Sequence, residues 1–296
     1  MSRELRIGAM YLLLGEALLA VMGAIIKHLS VELSTEQVVF FRNLFGLVML
    51  LPLVLRAGPG SLKTSVWHWH LMRGIVGLSA MYCYFWALGN MPLTEAFLVK
   101  LSSPFFMPLI ALWWLKEPAG KYSWLALVVG FAGVAVILRP GADLADNALT
   151  VAALVGLLGA ALAALAKVTI RRMSATEPSQ RIVFYFGLIA TLISFPAALI
   201  DWRPIPSSAW FGIVAMGAVA TAGQLAMTKA YRSAPTGKVG VYVYSAVIYG
   251  ALMGWLFWDE IPAWTTWAGA ALIILAGFVN LWSPKSASGK ATATQA

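Results

Sequence analysis

The chain has 296 residues, 60% of them hydrophobic and only 11% charged. A soluble domain carries about 25% charged residues, so a soluble enzyme, a disordered chain and a secreted disulfide scaffold are all excluded, the last also because Cys83 is the single cysteine. The net charge of +9 falls mostly between apolar runs rather than in one basic patch, so no nucleic-acid partner is expected; the expected fold is an all-α integral membrane protein.

A helix needs about 20 apolar residues to cross the hydrocarbon core. Charge clusters and Pro/Gly punctuation divide the chain into ten such runs. The first, 7–28, holds Glu16 near its centre and is too long for a signal-peptide core. The second, 36–55, carries Arg42 about six residues in, and the third, 67–89, carries Arg73 and Tyr82 with His68 and His70 at its start. A metal site would need more ligands than those histidines, so they are expected at the interface. The fourth, 93–115, contains Glu95, Lys100 and Ser103 and is interrupted by Pro104 and Pro108. The fifth, 121–138, is plain, and the sixth, 149–170, has Lys167 toward its end. The seventh is 181–200, and the eighth, 208–231, includes Gln224 and ends near Lys229. The ninth, 236–257, opens on Lys238, Tyr242, Tyr244 and Ser245, and the tenth is 264–282. The remaining tail, 285–296, is small, polar and basic, and is expected to be disordered in the cytoplasm.

Lys and Arg give the orientation. With the N-terminus inside, the inner segments hold Arg3, Arg6, Arg56, Lys63, Lys116, Lys121, Arg171, Arg172, Arg181, Arg232, Lys285 and Lys290. The outer ones hold Lys27, Arg139 and Arg203. Both termini are therefore expected in the cytoplasm, in a multi-pass protein of a bacterial-type inner membrane. All thirteen tryptophans fall in the first or last turns of a run, as interfacial anchors do.

Shifting the chain by about 144 positions lays one half over the other. Gly15 meets Gly159, Pro52 meets Pro196, and the Lys27-His28 pair meets Arg171-Arg172. After a one-residue slip Trp67 meets Trp210, Pro92 meets Pro235, Ser102 meets Ser245 and Glu117 meets Glu260. Two repeats are expected, 1–144 and 145–284. Five spans in each would insert the second half upside down, and inverted repeats around a midplane site are a transporter arrangement.

The repeat, the Phe-Phe-Arg-Asn-Leu run at 40–44, the Leu-Lys-Glu-Pro run at 115–118 and the Gly-Phe-Ala-Gly-Val run leading to Leu-Arg-Pro at 138–140 resemble the EamA family of the drug/metabolite transporter superfamily. The resemblance implies a ten-helix fold with a central cavity lined by the first four helices of each half. It also implies peripheral fifth helices, often used in packing or homodimer contacts. Relatives carry amino acids, vitamins, nucleoside-like cofactors and drugs, so the resemblance does not name a cargo.

Ionisable groups within spans are costly and mark cavities or helix-end snorkels. Glu16 reads as a proton carrier or cation partner, or as a structural hydrogen-bonding group. Desolvation disfavours a charged carboxylate, which suits proton coupling. Lys100, on a face with Ser103, reads as an anion or carboxylate partner. Glu95 and Arg42 read as gate or ligand groups, Arg73 and Lys167 as ligand groups or snorkels. Lys238 with Tyr242, Tyr244 and Ser245 would offer charge, hydroxyls and ring faces to a polar ligand, and Tyr82 and Gln224 complete the candidate set. No HExxH, GxSxG or Walker A pattern is present, so neither catalysis nor a cofactor is expected. The excess of deep cations predicts a small anionic or zwitterionic metabolite, such as an amino acid or other carboxylate, moved by a secondary or facilitative transporter. The rival cargo is a larger heteroaromatic metabolite; the rivals of another class are a membrane-embedded enzyme and an assembly factor.

Overall fold

Apolar composition and short connections leave the chain one way to satisfy its backbone in lipid, as helices. The computed structural model describes residues 3–110, 113–114, 121–138, 147–173, 176–233, 242 and 244–281. Among them the helices are α1 (Arg3–Leu29), α2 (Thr35–Ala57), α3 (Trp67–Asn90), α4 (Leu93–Lys100), α5 (Ser103–Ile110), α6 (Lys121–Leu138), α7 (Asn147–Met173), α8 (Ser179–Ile200), α9 (Ala209–Ser233), α10 (Ser245–Trp258) and α11 (Trp264–Leu281). Six of these, α1–α3 and α7–α9, contain stretches long and apolar enough to cross a membrane, and α10 and α11 contain shorter apolar stretches. Lys238, the 115–118 run and the tail lie outside the described residues.

Local chemistry sets several boundaries. Ser34 caps α2, its hydroxyl accepting from the Gln37 N–H while the Gln37 side chain accepts from the Ser34 N–H. Pro52 and Pro196 sit inside α2 and α8 without ending them, as neighbouring helices permit in membranes. The expected fourth span is two helices, because the chain turns at Leu101 and Ser102 just before Pro104, which has no N–H to donate. Its partner in the second half, α10, begins at Ser245, the residue in register with Ser102. Both serine hydroxyls are buried without a hydrogen-bond partner.

Many of the helix contacts are paired in the register of the two halves. α1 packs on α9 and α3 on α7; α2 packs on α9 and α3 on α8; α1 packs on α10 and α5 on α7; α2 packs on α8 and α6 on α11. The correspondence reaches single residues. Gly15 of α1 lies against Met227 and Gly223 of α9, and Gly159, 144 positions on, lies against Cys83 and Ala80 of α3. Gly74 meets Ile189, and Gly217 meets Phe45. Lipid tails supply no hydrophobic drive between helices, so small residues that admit close approach carry much of the packing. Gly15→Leu and Gly159→Leu are each expected to lower stability by about 1–3 kcal/mol through overpacking. Gly60→Leu, at a position with nothing within 4 Å, is expected to be neutral. Thermal unfolding in detergent checks all three.

Tryptophans face outward where the anchoring argument requires it: Trp67, Trp113, Trp124, Trp202, Trp210, Trp255, Trp264 and Trp267 are exposed.

Candidate functional site

The candidate polar groups come from α1–α5, α7, α9 and α10. Glu16 of α1 is 2% exposed and lies within electrostatic reach of Lys100 at the end of α4 and Lys167 of α7. Lys167 Nζ donates to Ser103 Oγ at 3.2 Å, across the break between α4 and α5. Lys100 Nζ is 5.3 Å from the ring centroid of Tyr84 and 5.5 Å from that of Phe97, within cation–π range. Ser103 was expected on Lys100's own helix face; instead it opens the next helix and meets Lys167.

Lys167 lies near the end of α7. It is exposed, yet its neighbours Ala166, Val168 and Thr169 are buried. It also sits nine residues from the lipid-facing Leu158, half a turn round the helix. Its ammonium lies on the side of α7 opposite Leu158 and meets Ser103. Gln224 is likewise exposed, on α9 between the line that meets α1 (Gly223, Met227) and the line that meets α2 (Gly217, Thr221).

Arg42 and Arg73 lie near one another, at the meeting of α2, α3 and α8. Arg73 stacks on Phe186, its Cζ 4.1 Å from the ring centroid, and acts electrostatically on Lys167. Tyr82, half-buried on α3, feels the charge of Glu36. Glu95 is apart from the Glu16 group, beside a pocket of about 200 Å³ lined also by Thr94, Glu260 and Thr266. Tyr242, Tyr244 and Ser245 line a different, mostly apolar groove of about 470 Å³ between α1, α10 and α11.

Two clusters at the ends of the bundle were not singled out by sequence. At one end Lys27 Nζ pairs with Glu260 Oε1 at 2.5 Å and donates to the Met91 carbonyl, while Glu260 Oε2 accepts the Leu93 N–H at the start of α4. One carboxylate thus ties α1, α4 and the α10–α11 connection. In a Lys27→Met, Glu260→Gln double-mutant cycle the coupling is expected to be about 1–3 kcal/mol, read from thermal midpoints in detergent.

At the other end Glu177 is buried and accepts from Thr64 Oγ1 (3.0 Å), His70 Nε2 (3.1 Å) and Arg181 Nη1 (3.2 Å). A carboxylate only accepts, so His70 must carry its proton on Nε2. Burial works against the charge of Glu177, and those three hydrogen bonds overcome it, holding the carboxyl below its usual range. Arg181 Nε also donates to the Ser61 carbonyl at 2.6 Å. Gln37, in register with Arg181, reaches the Arg203 carbonyl in the same way at 2.9 Å. His70, expected at the interface, is 1% exposed. No group of three metal-ligating side chains occurs among the described residues.

Comparison with known proteins adds a family and several relatives. The EamA-like transporter family matches residues 6–139 and again 150–282. The pseudopaline exporter CntI of Pseudomonas aeruginosa is 35% identical over 275 residues, covering 92% of this chain and 95% of that one. The riboflavin transporter of Vibrio cholerae is 27% identical over 94% of both chains. The S-adenosylmethionine uptake transporter of Rickettsia bellii is 27% identical over 89% of both. These relatives are transporters, not enzymes. A solved crystal structure shares the fold with a TM-score of 0.63 at 20% identity, covering 94% of this chain and 96% of that chain.

Proposed function

The chain belongs to the EamA-like transporter family, and from that premise we propose that it moves a small anionic or zwitterionic metabolite by alternating access. Its ten spans form two inverted repeats, 1–144 and 145–284, in an inner membrane with both termini cytoplasmic. The paired contacts, α1 on α9 with α3 on α7 and α2 on α9 with α3 on α8, support the repeat, and an odd number of spans in each half supplies the inversion.

The observation that carries the cargo is the position of Lys167. A lysine bonded to Ser103 and close to Glu16 and Lys100 suits the capture of a carboxylate. Ser103 and Lys167 hold one end of the substrate, and Lys100 neutralises it. Glu16 then faces a substrate ammonium or carries a proton. The three named relatives move chemically different cargoes on one scaffold, which supports a cargo chosen by the side chains that face the interior.

Initial rates of radiolabelled amino-acid and carboxylate flux in proteoliposomes, with substrate loaded inside or outside, test this reading. Saturable flux of carboxylates is expected in one of the two arrangements. Movement of organic cations alone would overturn the reading. The aromatic faces of Tyr84 and Phe97 beside Lys100 favour a second cargo class, heteroaromatic metabolites, and riboflavin added as a competitor tests that class in the same assay.

A further inference from the structure

Two buried arginines stand outside the Glu16–Lys100–Lys167 group. Neither Arg42 nor Arg73 has an acidic side chain within ion-pair distance among the described residues. Arg42 Nη1 donates to Asn43 Oδ1 at 3.1 Å, and Asn43 is held in turn by the Val39 carbonyl (2.8 Å) and Met81 Sδ (3.4 Å). Arg42 Nε, Arg73 Nε and Arg73 Nη1 are closed off from solvent and have no acceptor. The stack on Phe186 occupies a face of the Arg73 guanidinium and leaves its N–H edge without a partner. Room for that side chain comes from Gly77, where an added Cβ would collide with Arg73 Nη1.

Two guanidiniums that repel one another, with three idle N–H donors inside a membrane protein, are an expensive arrangement unless an anion completes it. Each arginine keeps part of its side chain exposed, while the idle nitrogens are closed to solvent. The planar fork of arginine matches carboxylate and phosphate oxygens. We infer that Arg42 and Arg73 form a second anion subsite, so that the substrate carries two acidic groups. The first is held by Lys100 and Lys167 and the second, a carboxylate or a phosphate monoester, by the guanidinium pair. The inference rests on the carboxylate reading of the interior and narrows it from monoacids to diacids.

The test compares substrates that differ only in the second group, using the full chain in proteoliposomes. The pairs are aspartate against asparagine, glutamate against glutamine, 2-aminoadipate against its ω-amide, and O-phosphoserine against serine. In at least one pair the diacid is expected to compete about 10- to 100-fold better than its neutral partner. Preference within the first three pairs assigns a carboxylate, and preference within the last a phosphate. Arg73→Gln and Arg42→Gln are expected to bring that ratio to about one, with Arg73→Lys retaining part of it. Gly77→Ala, which keeps both arginines but displaces one guanidinium, is expected to lower the same ratio.

A charge that serves only to stack on Phe186 would leave the ratio unmoved. Equal competition within every pair overturns the second subsite while leaving the carboxylate reading intact. Failure of all eight compounds overturns both. The wild-type comparison needs no variant, so a misfolded substitution does not rescue the inference.

Discussion

Glu177→Ala is expected to destabilise the protein by about 3–5 kcal/mol, the cost of removing one partner from a buried ionic cluster. The carboxylate satisfies Thr64, His70 and Arg181 at once, and its side chain is only 2% exposed. Its loss strands the His70 Nε2–H in a buried site and removes one of the links between the α2–α3 connection and the start of α8, leaving that from Arg181 Nε to the Ser61 carbonyl. A fall in apparent Tm of about 10 °C in detergent is the corresponding readout. The pH dependence has a definite sign. Glu177 is held below its ordinary range in the folded chain, so its contribution is complete above the unfolded value, about pH 4.3. That contribution disappears as the pH falls through the lower, folded value. Wild type should therefore lose stability on acidification below about pH 4.3 by an increment that Glu177→Gln lacks. Parallel acid profiles for the two proteins would show that the carboxylate is not the linking group.

The helical, membrane-bound character of the fold was legible in the sequence, because it depends on composition and on apolar run lengths that local residues fix. The family model matches the chain twice, at 6–139 and 150–282, and the in-register pair Gly15 and Gly159 each admits a close helix approach. Depth and partnership were harder to read. Lys167 has the sequence signature of a snorkelling helix-end lysine, and its contact with Ser103, 64 positions away, leaves no local trace. His70 resembled an interfacial histidine because Glu177 lies 107 residues off and leaves no local trace. The break at Leu101–Ser102 was foreshadowed by Pro104, but periodicity run through it placed Ser103 on the wrong line relative to Lys100. The tyrosines at the start of α10 illustrate the same limit. Their type suggested a ligand surface, but not what they pack on: Tyr242 lies against the cluster of Leu12 and Ala230, and Tyr244 against the cluster that holds Leu98, Leu101 and Phe105.

The repeat also bears on where transport chemistry resides. In register, Glu16 corresponds to Ala160, Arg42 to Phe186 and Lys100 to Val243, so most of the charged candidates belong to the first half. Glu16 is the acidic member of that set, and Glu16→Gln is the substitution expected to cost transport most. Glutamine keeps the size and hydrogen-bonding capacity of the side chain but carries neither the charge nor the exchangeable carboxyl proton. Lys100 and Lys167 would then face one another without a counter-charge in a low-dielectric interior, where like charges interact strongly. At least a tenfold loss of initial flux is expected, on the scale of about 1.4 kcal/mol or more. The pH dependence of flux between about pH 5 and 8 should flatten. If Glu16 served only as a structural hydrogen-bonding group, glutamine would preserve both rate and profile, and that outcome would remove it from the mechanism. Combining Glu16→Gln with Lys100→Gln separates the two roles further. Relief of repulsion makes the double variant less impaired than the product of the singles predicts, whereas independent contributions would simply multiply.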